Sequence, residues 1–141
     1  MIVADRKKVP EIRDMIKEHH RVLLVGCGTC VTVCLAGGER EVGILGSALR
    51  MSLKLEGRAG MVVDECTIER QCEDAFIDLL ALRAAKYDAI CSLGCGAGVQ
   101  ALAERPGRRG RAADGKLDAL LRPGAVRRER RADCDADDCA S

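Results

Sequence analysis

Three short apolar runs, Val22-Leu23-Leu24-Val25, Gly60-Met61-Val62-Val63-Asp64 and Tyr87-Asp88-Ala89-Ile90-Cys91-Ser92-Leu93, are separated by stretches with helical periodicity. Runs that are apolar throughout, instead of alternating with polar residues, suit strands covered on both faces, as in a parallel sheet. After the first run, Glu39 opens a segment carrying Val42, Leu45, Leu49 and Leu53 at spacings of three and four, and it stops by Gly57. Cys66 to Lys86 reads as mainly helical, with Ile68, Phe76, Leu79, Leu80 and Leu82 as apolar positions, and Gly94 to Val99 leads into another helix. Strand and helix in strict alternation predict an α/β chain: a Rossmann-like three-layer domain with a short parallel sheet and helices on both faces.

Pro10 can open a helix through Lys17, which makes residues 1–20 an N-terminal helical segment with His19 and His20 near its end. Two adjacent histidines cannot share one helix face, and both read as helix-end surface residues. Residues 21–105 form the cysteine-rich α/β domain, and 106–141 an irregular tail rich in Arg, Ala and Asp. One Phe, one Tyr and no Trp leave Val, Ile, Leu, Ala and Met to build the core of a 141-residue chain, enough for a single small domain. The formal charge of +1 conceals a basic stretch between Arg105 and Arg131 followed by Asp133, Asp135, Asp137 and Asp138. That local bias is not a nucleic-acid-binding surface of the whole domain.

Nine cysteines is an odd number, Met1 to Glu11 is charged, and no apolar run approaches the length of a membrane span. A disulfide scaffold is therefore disfavoured and a cytoplasmic setting expected. Cys27, Cys30 and Cys34 stand in a C-x2-C-x3-C group directly after the first apolar run, where Gly28 relieves backbone crowding. Soft thiolates crowded at a strand end suit a metal ion or an iron-sulfur cluster better than a packed core. In a parallel sheet the carboxyl ends of the strands share one edge, so cysteines after later strands would meet this group in one crevice. Cys72 and Cys95 are the first candidates for a fourth ligand and Cys66 the next, whereas Cys91 reads as a small core hydrophobe. Four thiolates would serve a [4Fe-4S] cluster or zinc. The compact trio with a remote fourth leans to the cluster.

Other constellations have plainer readings. Gly94-x-Gly96-x-Gly98 follows a strand and precedes a helix, but a full G-x-G-x-x-G dinucleotide loop is missing, so these glycines read as room for a cluster or for close helix packing. Asp64, Glu65, Glu69 and Glu73 read as the charged start of a helix. Gln71 could lie near the crevice, where a neutral amide serves only for hydrogen bonding. Both histidines precede the first strand, which leaves no Ser/His/Asp or Cys/His arrangement to defend.

Three segments also carry a family resemblance. Val25-Gly26-Cys27-Gly28-Thr29-Cys30-Val31-Thr32-Val33-Cys34-Leu35-Ala36-Gly37-Gly38-Glu39 resembles the opening of the methylenetetrahydrofolate reductase C-terminal-type domain, which also occurs as a separate small subunit of the bacterial reductase. Cys66-Thr67-Ile68-Glu69-Arg70-Gln71-Cys72 and Cys95-Gly96-Ala97-Gly98-Val99-Gln100 are similar to its later motifs, and the likeness spans roughly residues 10 to 105. The resemblance implies an iron-sulfur protein that accompanies a flavin-containing catalytic subunit. It matches Cys27, Cys30, Cys34, Cys72 and Cys95 to the motif cysteines, and Cys66 less closely. An accessory electron-transfer or stabilising subunit follows, with the folate chemistry on the partner; the scarcity of aromatic side chains for stacking a folate agrees. The alternatives are a stand-alone zinc-stabilised binding protein and a small thiol-redox enzyme, the latter needing an accessible Cys27 or Cys30 of lowered pKa.

Past Glu104 the likeness stops. Relatives of this type continue with another apolar strand and a glycine-containing cysteine motif, whereas Pro106 to Asp114 has no strand-like run and only Cys134 and Cys139 remain. A flexible extension is one reading. A shifted reading frame is the other, since codons such as CGT-CGC-GGT-CGT for Arg108 to Arg111 encode Val-Ala-Val-Val when moved by one base. A short helix at Leu117 to Leu121 is expected, and without a fourth strand the sheet would keep an exposed edge needing a partner.

Overall fold

The computed structural model describes residues 2–5, 7–109, 119–121 and 127–130, and the side chains of residues 7–104. In chain order the elements are β1 (Ile2–Asp5), α1 (Val9–Ile16), β2 (Arg21–Cys27), α2 (Cys30–Val33), α3 (Glu39–Leu55), β3 (Val62–Ile68), α4 (Asp74–Ala84), β4 (Ala89–Ser92), α5 (Gly96–Arg109), β5 (Ala119–Leu121) and β6 (Arg127–Arg130). Strands β3-β2-β4-β5 form one sheet in that order, with every pairing parallel, and β1 and β6 form a separate antiparallel pair.

The chain is an α/β protein with helices on both faces of its sheet. Side chains alternate along β2, so Val22 and Leu24 join Ile12 and Ile16 of α1 and Val42, Leu45, Leu49 and Leu53 of α3 in one core. Leu23 and Val25 point the other way and pack with Ile90, with Ile77, Leu80 and Ala84 of α4, and with Leu102 of α5. The chain leaves β2 toward β3 on one side and then crosses to β4 on the other. That reversal opens a crevice at the carboxyl ends of β2 and β4. At the opposite edge the Asp88 carboxylate accepts the backbone N–H of His20 and of Arg21, each at 3.0 Å, which aligns the starts of β2 and β4. Those two N–H groups hold the Asp88 carboxyl below the usual carboxylate range.

Several elements differ from expectation. The N-terminal helix stops at Ile16, and β1 precedes it. Cys66, Thr67 and Ile68 are not helical: they extend β3 through parallel pairing with Val25, Gly26 and Cys27, so α4 starts only at Asp74. Asp64 and Glu65 consequently lie on a strand, Glu69 in the turn after it, and Glu73 at the N-cap of α4. The expected helix at Leu117 to Leu121 is in part strand β5, whose backbone bonds to β4 and covers the edge that was expected to stay open. Cys134, Cys139 and most of the expected tail lie outside the described residues. Among the described residues no helix is long and apolar enough to cross a membrane.

Candidate functional site

Three connections meet at the carboxyl edge of the sheet: the Cys27–Gly38 loop after β2, the turn of residues 69–73 after β3, and residues 93–95 after β4. The first loop is shaped by its own backbone. Cys27 N–H donates to Gly37 O at 3.0 Å, Ala36 N–H donates to Val31 O at 2.9 Å, and the Thr32 hydroxyl donates to Cys27 O at 2.7 Å. Gly28 N–H reaches across to Ile68 O at 2.9 Å and fastens the loop to the end of β3. The loop passes so close to the next connection that a Cβ on Gly37 would collide with the Leu93 carbonyl, which requires glycine there. It then enters α3 through Gly38, whose N–H donates to the buried Glu41 carboxylate at 3.0 Å. A carboxylate suits the positive end of that helix.

The second organiser is Gln71, which is fully buried. Its Nε2 donates to Val25 O at 2.8 Å, its Oε1 accepts the Ser92 hydroxyl at 2.5 Å, and Ser92 Oγ in turn accepts Gly94 N–H at 3.2 Å. One amide thereby joins β2, the turn after β3 and the start of the β4–α5 connection. Gly94 and Gly98 supply the space: a Cβ on the first would strike Gln71 Oε1 and one on the second would lie 2.8 Å from Gln71 Cβ. The glycine run after β4 is thus filled by a protein side chain.

Cys27 is buried, with Sγ 3.3 Å from Thr29 Oγ1 and 3.8 Å from Glu69 O. Cys30 opens α2, and Cys95 lies just before α5, whose Val99 N–H donates to its carbonyl at 2.9 Å. The Cys30 thiol interacts with that of Cys95 and lies within electrostatic range of Cys27. Burial first, then the Cys95 and Cys27 thiolates and a side-chain interaction with Cys95, push the Cys30 thiol up from its ordinary value.

The other cysteines stand apart. Cys34 is exposed at the C-cap of α2, and Cys72 is exposed beside Gln71. Cys66 is half-buried along β3, where Arg83 donates to its Sγ at 3.7 Å. Cys91 is wholly buried in the core, and burial pushes its thiol up to about 12. Among the described residues no three His, Cys, Asp or Glu side chains are arranged to hold a metal ion. The donor set is right in kind for a soft metal centre, but as arranged here it does not enclose one.

Sequence reasoning gathered Cys27, Cys30, Cys34, Cys66, Cys72 and Cys95 into one ligand set; the structure associates Cys30 with Cys27 and Cys95, sets Cys34, Cys66 and Cys72 apart, and buries Cys91 in the core as expected, while the bonding partners of Gln71 were not foreseen. The signal was present in Gly94 and Gly98, whose missing side chains make the space that Gln71 fills. Exposed Val33 and Leu35 rim the loop, and Leu35 adopts φ +52°, a left-handed conformation that costs a bulky residue on the order of 1–2 kcal/mol. No protein-family model, no curated protein and no solved structure matches the chain.

Proposed function

We propose that the chain is an accessory, thiolate-ligating subunit of a methylenetetrahydrofolate reductase complex, working in the cytoplasm beside a flavin-containing catalytic subunit. The observation that supports this reading best is the convergence of Cys27, Cys30 and Cys95, from segments far apart in sequence, at one sheet edge. The motif resemblance over residues 10 to 105 supplies the identity of the complex. The cofactor is an iron-sulfur cluster, with [4Fe-4S] the favoured form and zinc the alternative.

The chain's own residues set the frame for that role. Gln71, Ser92 and Gly37 fix the positions of the loops that carry Cys27, Cys30 and Cys95. The crevice provides no imidazole, since His19 and His20 precede β2 at the opposite edge of the sheet. Glu41, its buried carboxylate, is occupied in capping α3. For the thiol-redox alternative Cys30 is exposed, as a reactive thiol must be, but partial burial of its sulfur and the neighbouring thiols push it up, opposite to what a reactive thiolate needs.

Anaerobic co-purification with the flavoprotein subunit, followed by iron, sulfide and zinc analysis, tests the proposal. Iron and sulfide in matching amounts, lost in Cys27→Ser and Cys95→Ser, support it. Stoichiometric zinc without visible absorption moves the assignment to a zinc-stabilised protein. A metal-free chain that does not associate with the flavoprotein overturns the proposal.

A further inference from the structure

Helix α3 has two apolar faces, and among the described residues only one of them is packed. Val42, Leu45, Leu49 and Leu53 are buried against the sheet, while Ile44, Ala48, Met51 and Leu55 form a second stripe at spacings of four, three and four. Ile44, Met51 and Leu55 of that stripe are 52%, 65% and 89% exposed. This is the spacing of a helix-pairing seam. Beside it, between α1 and α3, lies a hollow of about 460 Å³ lined by Val9, Ile12, Ile44 and Leu45, with Lys7 and Lys8 next to them.

The charges along the stripe have one sign. At 100° per residue, Arg40 and Lys54 fall on the flank away from α1, and Lys7 and Lys8 bound the other flank. The nearby acids are committed or turned away. Glu11 pairs with Lys7 at 3.1 Å, Glu56 pairs with Arg13 at 2.6 Å, and Glu39 falls on the far side of the helix. Among the described residues Lys8, Arg40 and Lys54 have no carboxylate partner within ion-pair distance.

From this we infer that the stripe of α3 and its adjoining hollow dock an amphipathic helix with acidic flanks, carried by a protein partner. A second copy of the chain would set Lys8, Arg40 and Lys54 against themselves. A bilayer surface would leave the hollow unfilled, whereas a projecting side chain of a helix fits it. Identifying the partner as the flavoprotein rests on the function proposed above; the face itself does not.

Two probes separate these claims. The first is a synthetic three-heptad peptide with Leu at the seam and Glu on both flanks, compared with the same peptide carrying Lys, by fluorescence anisotropy on the full chain. The Glu peptide should bind and the Lys peptide should not. Ile44→Asp/Leu55→Asp should weaken binding at least about thirtyfold. Arg40→Glu/Lys54→Glu should weaken it about tenfold and flatten its salt dependence. All four positions are exposed, and unchanged circular dichroism would confirm an intact fold. Equal binding of both peptides, or wild-type binding by the Ile44/Leu55 variant, overturns the inference. So does a wild-type dimer, or retention on anionic vesicles, that this variant abolishes. The second probe is the purified flavoprotein. If it fails to bind while the Glu peptide binds, the proposed function falls and the docking face stands.

Discussion

Replacing Gln71 by Leu removes the bonds that connect three segments of the crevice without greatly changing side-chain bulk. The Val25 carbonyl keeps its second donor, Leu93 N–H at 2.8 Å, so loss of Gln71 Nε2 costs it only about 0.5–1.5 kcal/mol. The Ser92 hydroxyl is buried and loses its acceptor outright, a penalty of roughly 1–3 kcal/mol. Gln71→Leu should therefore destabilise the chain by about 2–4 kcal/mol, read as a lower urea midpoint at unchanged slope under reducing conditions. Adding Ser92→Ala should reveal a coupling of about 1 kcal/mol or more, because the two side chains share a bond. Gln71→Glu turns an acceptor toward the Val25 carbonyl unless it is protonated, so its folded pKa should exceed its unfolded value. The stability of that variant should be greatest below the unfolded carboxyl pKa and fall as pH rises through the folded one. A Gln71→Leu loss below about 0.5 kcal/mol, or strict additivity with Ser92→Ala, would refute the account of Gln71 as the tie between these segments.

Alkylation of the reduced protein followed by peptide mapping should label Cys34 and Cys72 first and Cys30 more slowly, because its thiolate is disfavoured; Cys91 should react only on unfolding. Tyr87, the sole tyrosine, donates to Asp64 at 2.6 Å, and this bond, then burial, raises its pKa above 10.0. Its ultraviolet titration should lie above that value and move down in Asp64→Asn. The stabilisation it provides should be complete below the unfolded tyrosine pKa and vanish as pH rises through the folded one. Gly37→Ala, which forces a Cβ onto the Leu93 carbonyl, should lower stability by more than about 2 kcal/mol in thermal unfolding, while Gly60→Ala, with open space around it, should change it by less than about 0.5 kcal/mol.

The parts of the fold legible in the sequence are those decided locally. Val22 to Val25 and Ala89 to Ser92 are short, mostly apolar, preceded by a charged residue and followed within two residues by glycine, and α3 announces itself through Val42, Leu45, Leu49 and Leu53. The boundary between β3 and α4 was not local. Cys66 to Ile68 lead into a periodic segment, and only their register against Val25 to Cys27 makes them strand. Strand β5 was hidden because Ala119-Leu120-Leu121 has no strand-specific residue, and pairing with β4 decides it. At the site, the cysteine motif marked the crevice, but thiol neighbourhood depends on loop paths: Cys30 turns toward Cys95, whereas Cys34, four residues on, does not. Gln71 was the hardest to place, since its partners lie 46 and 21 residues away and neither imposes a sequence pattern.

The edges of the sheet bear on how the chain associates. Among the described strands β3 and β5 are the outer ones of the four-stranded sheet, and the longer of them, β3, is guarded. Val62 N–H donates inward to His20 O, so the carbonyl of Val63 points outward, where Arg50 donates to it at 3.0 Å. The same guanidinium faces Glu65 Oε1 at 2.5 Å, a charge contact instead of an aligned hydrogen bond, and Asp64 is held by Tyr87. Charges and a capped carbonyl discourage strand addition at β3, which makes pairing along that edge a less favourable route to a partner than the α3 face. Asp64→Val/Glu65→Val would extend the apolar run that starts at Met61 and free Arg50 from its anion. It should raise light scattering at concentrations where the wild type stays clear, with circular dichroism of the supernatant still that of the folded chain. A variant as clear as wild type would show that these charges do not protect the edge, and strand pairing would again compete with the helix face as a means of association.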